Sequence, residues 1–265
     1  MKILLTGSQG FIGTRISESL RSQEYELAEI DKGNEIPKEK FDIILHFGAR
    51  TLIRNSFSDP FGYFLDNLEF TLSILEKCRR DDSDLVFPTS GSTEVPTNPY
   101  SLSKKQGEEW VDMYSELFGT RVRILKLYNI YGESSKKGAV FLFCNAAVNK
   151  SPVTIYGDGT HSRDFVHVDD LVNFVKEVVN DKIRPGRYEI GTGKATSVLG
   201  LLNIVERISD EKLQVEWKEY VVPEASSLYA KNSPLSKPVS LEVGVRRVLD
   251  VLKAEFENNH LKTEG

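Results

Sequence analysis

The feature that most constrains this chain is Thr6-Gly7-Ser8-Gln9-Gly10-Phe11-Ile12-Gly13, which follows an apolar run at Lys2–Thr6 and leads into Ile12, Ile16 and Leu20 at helical spacing. Glycines at intervals of three between a strand and a helix let the backbone turn tightly and approach an anion held at the helix N-terminus. Gly7, Gly10 and Gly13, with Gln9, Phe11 and Ile12 between them, therefore read as the pyrophosphate cradle of a dinucleotide. Asp31 closes the next apolar run, Tyr25–Ile30, 18 residues beyond Gly13, where a carboxylate accepts from an adenosine ribose. Like-charge repulsion between Asp31 and a 2′-phosphate favours NAD, and the adjacent Lys32 pulls the other way.

Further runs at Phe41–Phe47, Leu85–Phe87, Val122–Leu127 and Arg187–Ile190 are nearly continuous in Ile, Leu, Val and Phe. Strands buried on both faces of a parallel sheet require that pattern, and segments of crossover length separate most of them. The spacing predicts an α/β, doubly wound parallel sheet, a Rossmann fold, followed by a smaller substrate-binding α/β region. Helical periodicity returns at Phe64–Leu75, where Leu65, Leu68, Leu72 and Leu75 share a face, and after Asn98-Pro99, where Asn suits the cap and Pro the first helical position.

Composition excludes several classes. Of 265 residues 40% are hydrophobic and 28% charged, and no apolar run approaches the ~18 residues of a membrane span. A net charge of −5 argues against a nucleic-acid binder. The two cysteines, Cys78 and Cys144, sit in apolar stretches and read as reduced core thiols, which points to the cytoplasm. Four histidines without metal-ligand spacing predict no metal.

Tyr100 and Lys104 fall four residues apart at the start of the helix capped by Asn98, so they share one face. An ammonium and a helix N-terminus beside a phenol both favour phenolate, which predicts a lowered Tyr100 pKa and a general acid/base.

Taken together the motifs resemble an extended short-chain dehydrogenase/reductase of the NAD-dependent nucleotide-sugar epimerase/dehydratase family. TGSQGFIG is similar to that family's TGxxGxxG, FDIILHFGA to its D-x-x-x-H-x-A-A strand, and NPYSLSKKQGEE to its P-Y-x-x-S-K. LYNIYG is similar to its x-x-N-V-Y-G and IYGDGTHSRDFVHVDD to its I-x-G-D-G-x-x-x-R-D-F-x-x-V-x-D. The resemblance implies Tyr100 as acid/base and Lys104 on the nicotinamide ribose, with a Ser or Thr hydroxyl on the reacting sugar oxygen. Gly48 and Ala49 would lie against the cofactor. Either Ser90 or Ser92 aligns with the hydroxyl position; Ser90 is favoured because the strand ends just before it and Thr89-Ser90-Gly91 resembles the family's S-S-G variant. Arg163 is implied on the nucleotide diphosphate, where a planar guanidinium suits phosphate oxygens, with Asn129 near the phosphates and Tyr156 in the segment passing the base. Asp164 has pairing with Arg163 as one reading, and His167 reads as structural.

The expected organisation is residues 1–128 plus about 164–193 as the NAD unit, about 129–163 plus 194–258 as the nucleotide-sugar unit, and 259–265 as a tail. The expected reaction is 4-epimerisation of a nucleotide-diphosphate sugar through a transient 4-keto sugar. A 4,6-dehydratase would need an acid pair after the hydroxyl residue, for which Thr93-Glu94 offers one acid; a 4-keto reductase and an NAD-binding regulatory or scaffold protein are the other readings. Leucine faces at Phe64–Leu75 and Trp110–Leu117 suggest a homodimer through a four-helix bundle, with packing on the sheet as the competing account.

Overall fold

The computed structural model describes residues 1–31, 33–94, 96–220 and 226–263. Lys32, assigned to the cofactor above, lies outside them. The chain runs β1 (Lys2–Thr6), α1 (Phe11–Arg21), β2 (Glu26–Ile30), β3 (Ile43–His46), α2 (Ile53–Ser58), α3 (Pro60–Tyr63), a stretch of wider π-type turns at Phe64–Glu69, α4 (Phe70–Asp81), β4 (Asp84–Ser90), α5 (Pro99–Phe118) and β5 (Val122–Leu127). It continues through β6 (Asn129–Tyr131), α6 (Gly138–Asn149), β7 (Val153–Tyr156), β8 (Ser162–His167), α7 (Val168–Val179) and β9 (Gly186–Ile190). The remainder is β10 (Ala195–Ser197), α8 (Val198–Ser209), β11 (Val215–Lys218), β12 (Ser227–Leu228) and α9 (Leu241–Thr263).

Two compact units result, Met1–Leu127 with Leu171–Ile190 and Tyr128–Asp170 with Gly191–Gly265. In the first, one sheet has the order β2-β1-β3-β4-β5-β9 with every pair parallel. Ile3, Leu4, Leu5, Ile44, Leu45, Leu85 and Val86 are fully buried, which is why these strands read as unbroken apolar runs. The winding reverses between β1 and β3, and a sheet wound that way has its crevice at the carboxyl ends of those two strands. The loops carrying Gly7 and Gly48 leave the sheet there.

The apolar run alone ends β4 at Phe87, before Pro88. The strand continues to Ser90 because it stays paired with β5 as far as Leu127. Pairing with β3 stops at Val86, so Pro88 sits where β4 has a single neighbour and a missing N–H is tolerated. Helix α5 begins as its sequence predicts: Asn98 Oδ1 accepts from the Ser101 N–H at 2.9 Å, Ser101 Oγ accepts from the Asn98 N–H at 3.3 Å, and Pro99 takes the first position.

In the second unit β8 pairs parallel with β6 and β12 and antiparallel with β10, and β7 pairs parallel with β11. Phe143, Cys144, Ile155, Phe165, Leu201 and Val245 are among its core residues. Residues 164–170, which the sequence placed with the NAD unit, belong here because β8 finds all its partners in this unit. Helix α9 runs to Thr263, so most of the stretch expected as a tail is helical backbone, and 264–265 lie outside the described residues.

Candidate active site

The glycine loop is shaped by close backbone approaches. Gly7 has φ +75°, and a Cβ there would stand 2.6 Å from the Gly48 nitrogen; a Cβ on Gly13 would stand 1.9 Å from the Gly7 carbonyl oxygen. These contacts bring together the residues the sequence singled out: the β1 loop, the start of α1 and Gly48 after β3. Gly10 caps α1 without a side-chain hydrogen bond, so the cap leaves the first amides of that helix to an anion. Asp31 Oδ2 accepts from Ser8 Oγ at 2.6 Å and from the Gln9 N–H at 2.9 Å, which holds the carboxylate against the loop at the end of β2. A cradle that a Cβ on Gly7 or Gly13 would fill, beside a carboxylate fixed at the end of β2, fits a dinucleotide.

Sequence reasoning passed over what braces this cradle. His46 is 2% exposed; its Nδ1 lies 2.8 Å from Thr6 Oγ1 and its Nε2 3.1 Å from Thr71 Oγ1. Thr71 donates to the Asn67 carbonyl and Thr6 accepts from the Gly48 N–H at 3.0 Å, so the network assigns the proton to Nε2 and the lone pair to Nδ1. Burial, and after it the charge of Lys104, bring the His46 pKa down to about 3. Asn67 spends its whole amide: Oδ1 accepts from the Arg50 N–H at 2.8 Å, and Nδ2 donates to the Arg50 carbonyl at 3.1 Å and to Ser103 Oγ at 3.0 Å. It thereby clamps the chain after β3 to α5. The only sequence signals were a His inside the FDIILHFGA match and an Asn in a leucine-rich helix.

Tyr100 is buried in the first turn of α5, and Tyr63 meets its ring edge-on at 6.4 Å between centroids. The Ser90 hydroxyl acts on its phenol in the direction that favours phenolate. Ser90 Oγ also lies 2.9 Å from Ser92 Oγ and accepts from the Ser92 N–H at 3.2 Å. The structure thus brings Ser90 to Tyr100 and leaves Ser92 one contact further out. Lys104, 6% exposed, stands one turn along with its ammonium 4.6 Å from the centre of the Phe87 ring. Burial lowers its pKa to about 8, against the pull of Glu108.

The Tyr–Lys spacing predicted a lowered Tyr100 pKa, and here it is raised. Burial dominates, the Ser90 hydroxyl opposes it, and the Tyr63 phenol adds to it. Lys104 turns its ammonium over Phe87, and its charge does not enter the balance on Tyr100. Tyr100 therefore holds its proton more tightly than a free phenol.

The residues read as substrate-binding belong to the second unit. Arg163 lies on β8 between Thr196 of β10 and Leu228 of β12 and donates to the Ser162 carbonyl at 2.8 Å. Asn129 opens β6 opposite Phe165, two residues from Arg163 in register, while Tyr156 ends β7 in the separate two-stranded sheet opposite Lys218. Asp164 does not take Arg163 as its partner. Fully buried, it accepts from the Thr192 N–H and Oγ1 at 2.9 and 2.5 Å, from the Gly193 N–H at 2.9 Å and from the Ala230 N–H at 3.2 Å. Successive strand residues point to opposite faces, which separates it from Arg163. His167 is fully buried, with Nδ1 accepting from the Asp169 N–H at 3.2 Å.

Among the described residues no group of His, Cys, Asp and Glu could hold a metal ion, and no helix is long and apolar enough to cross a membrane. Cys78 and Cys144 are free and buried, and burial pushes both thiols up to about 12.

Residues 3–191 match the model of the NAD dependent epimerase/dehydratase family. A protein of Methanocaldococcus jannaschii that carries a provisional UDP-glucose 4-epimerase name is 31% identical, over 95% of this chain and 98% of its own. The Thermus thermophilus UDP-glucose 4-epimerase, solved with NAD, superposes with a TM-score of 0.83 at 25% identity, over 96% of this chain and 98% of the other. A Bacillus cereus UDP-glucuronic acid 4-epimerase, solved with UDP-glucuronic acid and NAD, shares the fold with a TM-score of 0.88 at 23% identity, over 96% and 100%.

Proposed function

The chain belongs to the NAD dependent epimerase/dehydratase family, and from that premise we propose that it is a nucleotide-sugar 4-epimerase with Tyr100 as acid/base. The observation that carries the reading is the Ser90–Tyr100 hydroxyl pair, with Lys104 one helical turn on, in the same unit as a glycine cradle that fits a dinucleotide. NAD, when bound, supplies a hydride acceptor at the sugar carbon and a donor for its return. Ser90 hydrogen-bonds the sugar 4-oxygen while Tyr100, in its deprotonated form, takes the proton of that hydroxyl, and Lys104, one turn along the same face of α5, lies toward the nicotinamide ribose. After the keto sugar turns over, Tyr100 returns the proton to the oxygen on the opposite face. Gly7, Gln9, Gly10, Phe11, Ile12 and Gly13 hold the pyrophosphate, Asp31 the ribose, and Gly48 and Ala49 line the cofactor. Arg163 takes the nucleotide diphosphate, with Asn129 beside it and Tyr156 toward the base.

The dehydratase reading asks for an acid pair after the hydroxyl residue, and Thr93-Glu94 offers one acid. Glu94 lies 3.3 Å from Lys126 and Thr93 bonds Glu108, an arrangement that supports epimerisation instead. The same proposal makes the protein a cytoplasmic homodimer. Leu102, Trp110, Met113 and Leu117 form an exposed apolar stripe along α5, opposite a face that buries Lys104, Glu108 and Val111.

The test is chromatography of the products formed by wild type and Tyr100→Phe with NAD and a panel of UDP-, dTDP-, GDP- and CDP-sugars. An isomeric product without net NADH, absent in the variant, supports the epimerase. Loss of the mass of water indicates a dehydratase, and no conversion of any sugar overturns the reading.

A further inference from the structure

Glu108 stands one turn beyond Lys104 and two beyond Tyr100 on the same face of α5, and it is 3% exposed. A carboxylate so deep persists only where its oxygens are satisfied and its charge is balanced. Oε1 accepts from Thr89 Oγ1 at 2.5 Å and lies 2.7 Å from Thr93 Oγ1, and Oε2 lies 3.2 Å from an Arg187 nitrogen whose neighbour reaches Asp112. Thr89 and Thr93 bracket Ser90 and Ser92 in the chain, and the Thr93 hydroxyl is also 2.9 Å from the Ser90 carbonyl oxygen. The end of β4 and the turn after it are therefore fastened to α5 through one carboxylate.

Among the charged groups packed around Lys104, the Glu108 carboxylate is the one buried on the same face of α5, one turn away. His46 of β3 and Tyr63 of α3 are neutral at working pH, one held down and the other up chiefly by burial. Asp66 of the π-type turns pairs with Arg50, Glu76 of α4 binds Tyr114 further along α5, and Lys126 of β5 pairs with Glu94. Arg187 of β9 faces Glu108 and Asp112. Glu108 alone opposes the loss of charge that burial imposes on Lys104.

We propose that Glu108 is a positioning residue of this site: through Thr89 and Thr93 it fastens the end of β4, and with it Ser90, to α5, and it sets a buried negative charge one turn from Lys104 on the same helix face. Its effect on turnover rests on the epimerase reading, whereas the tie and the charge pairing do not.

Glu108→Gln keeps the volume and an acceptor for the threonines while removing the charge. The Lys104 titration midpoint, followed by NMR at its Cε in lysine-labelled protein with Lys104→Arg as the assignment control, is expected to fall below the wild-type value of about 8. Turnover of the UDP-sugar is expected to fall about tenfold or more with KM within about threefold, and its alkaline limb to move acidward with the midpoint. Glu108→Asp, which keeps the charge, returns the midpoint toward wild type. Thr93→Val cuts the tie alone and lowers kcat by about threefold or more with the midpoint unmoved. A merely structural role would lower thermal stability without moving the midpoint or the limb. An unchanged Lys104 midpoint in Glu108→Gln overturns the charge role, and unchanged kcat in Thr93→Val overturns the positioning role. Should Glu108→Gln fail to fold, a wild-type midpoint in Glu108→Asp beside reduced turnover in Thr93→Val supports the proposal, and unreduced turnover in Thr93→Val overturns it. If wild type converts no sugar while the midpoint shifts, the epimerase reading falls and the charge pairing stands.

Discussion

The Ser90 hydroxyl, on the last residue of β4, acts on the phenol of Tyr100, the second residue of α5, in the direction that favours phenolate. Two elements joined by a short turn thus present one proton-handling pair. Tyr100→Phe is expected to lower kcat by about 10²–10⁴, and Ser90→Ala by about tenfold or more. Ser92→Ala, which removes a group that touches only the far side of Ser90, should cost several times less. Steady-state kinetics on all three decide the order, and equal losses at Ser90 and Ser92 would count against the assignment.

Two buried basic groups make stability rise with pH in two separate windows. Lys104 loses its proton near pH 8 when folded but only near 10.5 when unfolded, so across that window the unfolded chain holds more protons and stability rises with pH. Activity that needs the charged lysine should fall across the same window. His46 binds a proton near 6.5 when unfolded and only near 3 when folded, so stability falls as pH drops through that interval. Urea midpoints taken at neutral pH and at about pH 4 should differ clearly for wild type and much less for His46→Gln.

Gly13→Ala should abolish or weaken NAD binding by at least about tenfold, because its Cβ would meet the Gly7 carbonyl oxygen at 1.9 Å. Gly33→Ala provides the contrast. With φ at +91° and nothing within 4 Å, it strains the backbone without entering the cradle. Calorimetric titration with NAD should show a far smaller change for it.

Asp164→Asn should destabilise the protein by about 2–3 kcal/mol, since it converts an acceptor of four hydrogen bonds into a group that must donate at a buried site. Denaturant unfolding gives the number directly.

Leu117→Glu, at a position 67% exposed on α5, should turn a dimer into monomers without loss of fold. Light scattering at micromolar concentration decides it, and a monomeric wild type would remove the dimer from the proposal.

Much of the fold was legible because its signals are local. The glycines at Gly7, Gly10 and Gly13, the cap at Asn98-Pro99 and the apolar runs of the sheet each declare themselves within a few residues. What stayed hidden joins distant positions: Arg50 with Asn67, Thr89 with Glu108, and Glu108 with Arg187 across 79 residues. Polar partners buried against one another carry no period. The pKa of Tyr100 was misjudged for a related reason, because sequence spacing puts Lys104 on the same face without telling that its ammonium turns to the Phe87 ring.

The six-stranded sheet draws on two separate stretches of chain, and that has a consequence for how the protein is made. Five strands are available once Leu127 has left the ribosome, but β9, which covers β5, arrives only with Gly186–Ile190. Until then the edge of β5 is bare, and Arg123, 2% exposed in the finished fold, lacks the Ile183 carbonyl that its Nε meets at 2.8 Å. A nascent chain halted between those points carries an unpaired strand edge beside a guanidinium that has Asp84 but not yet the Ile183 carbonyl, the form in which a chaperone would have most to do.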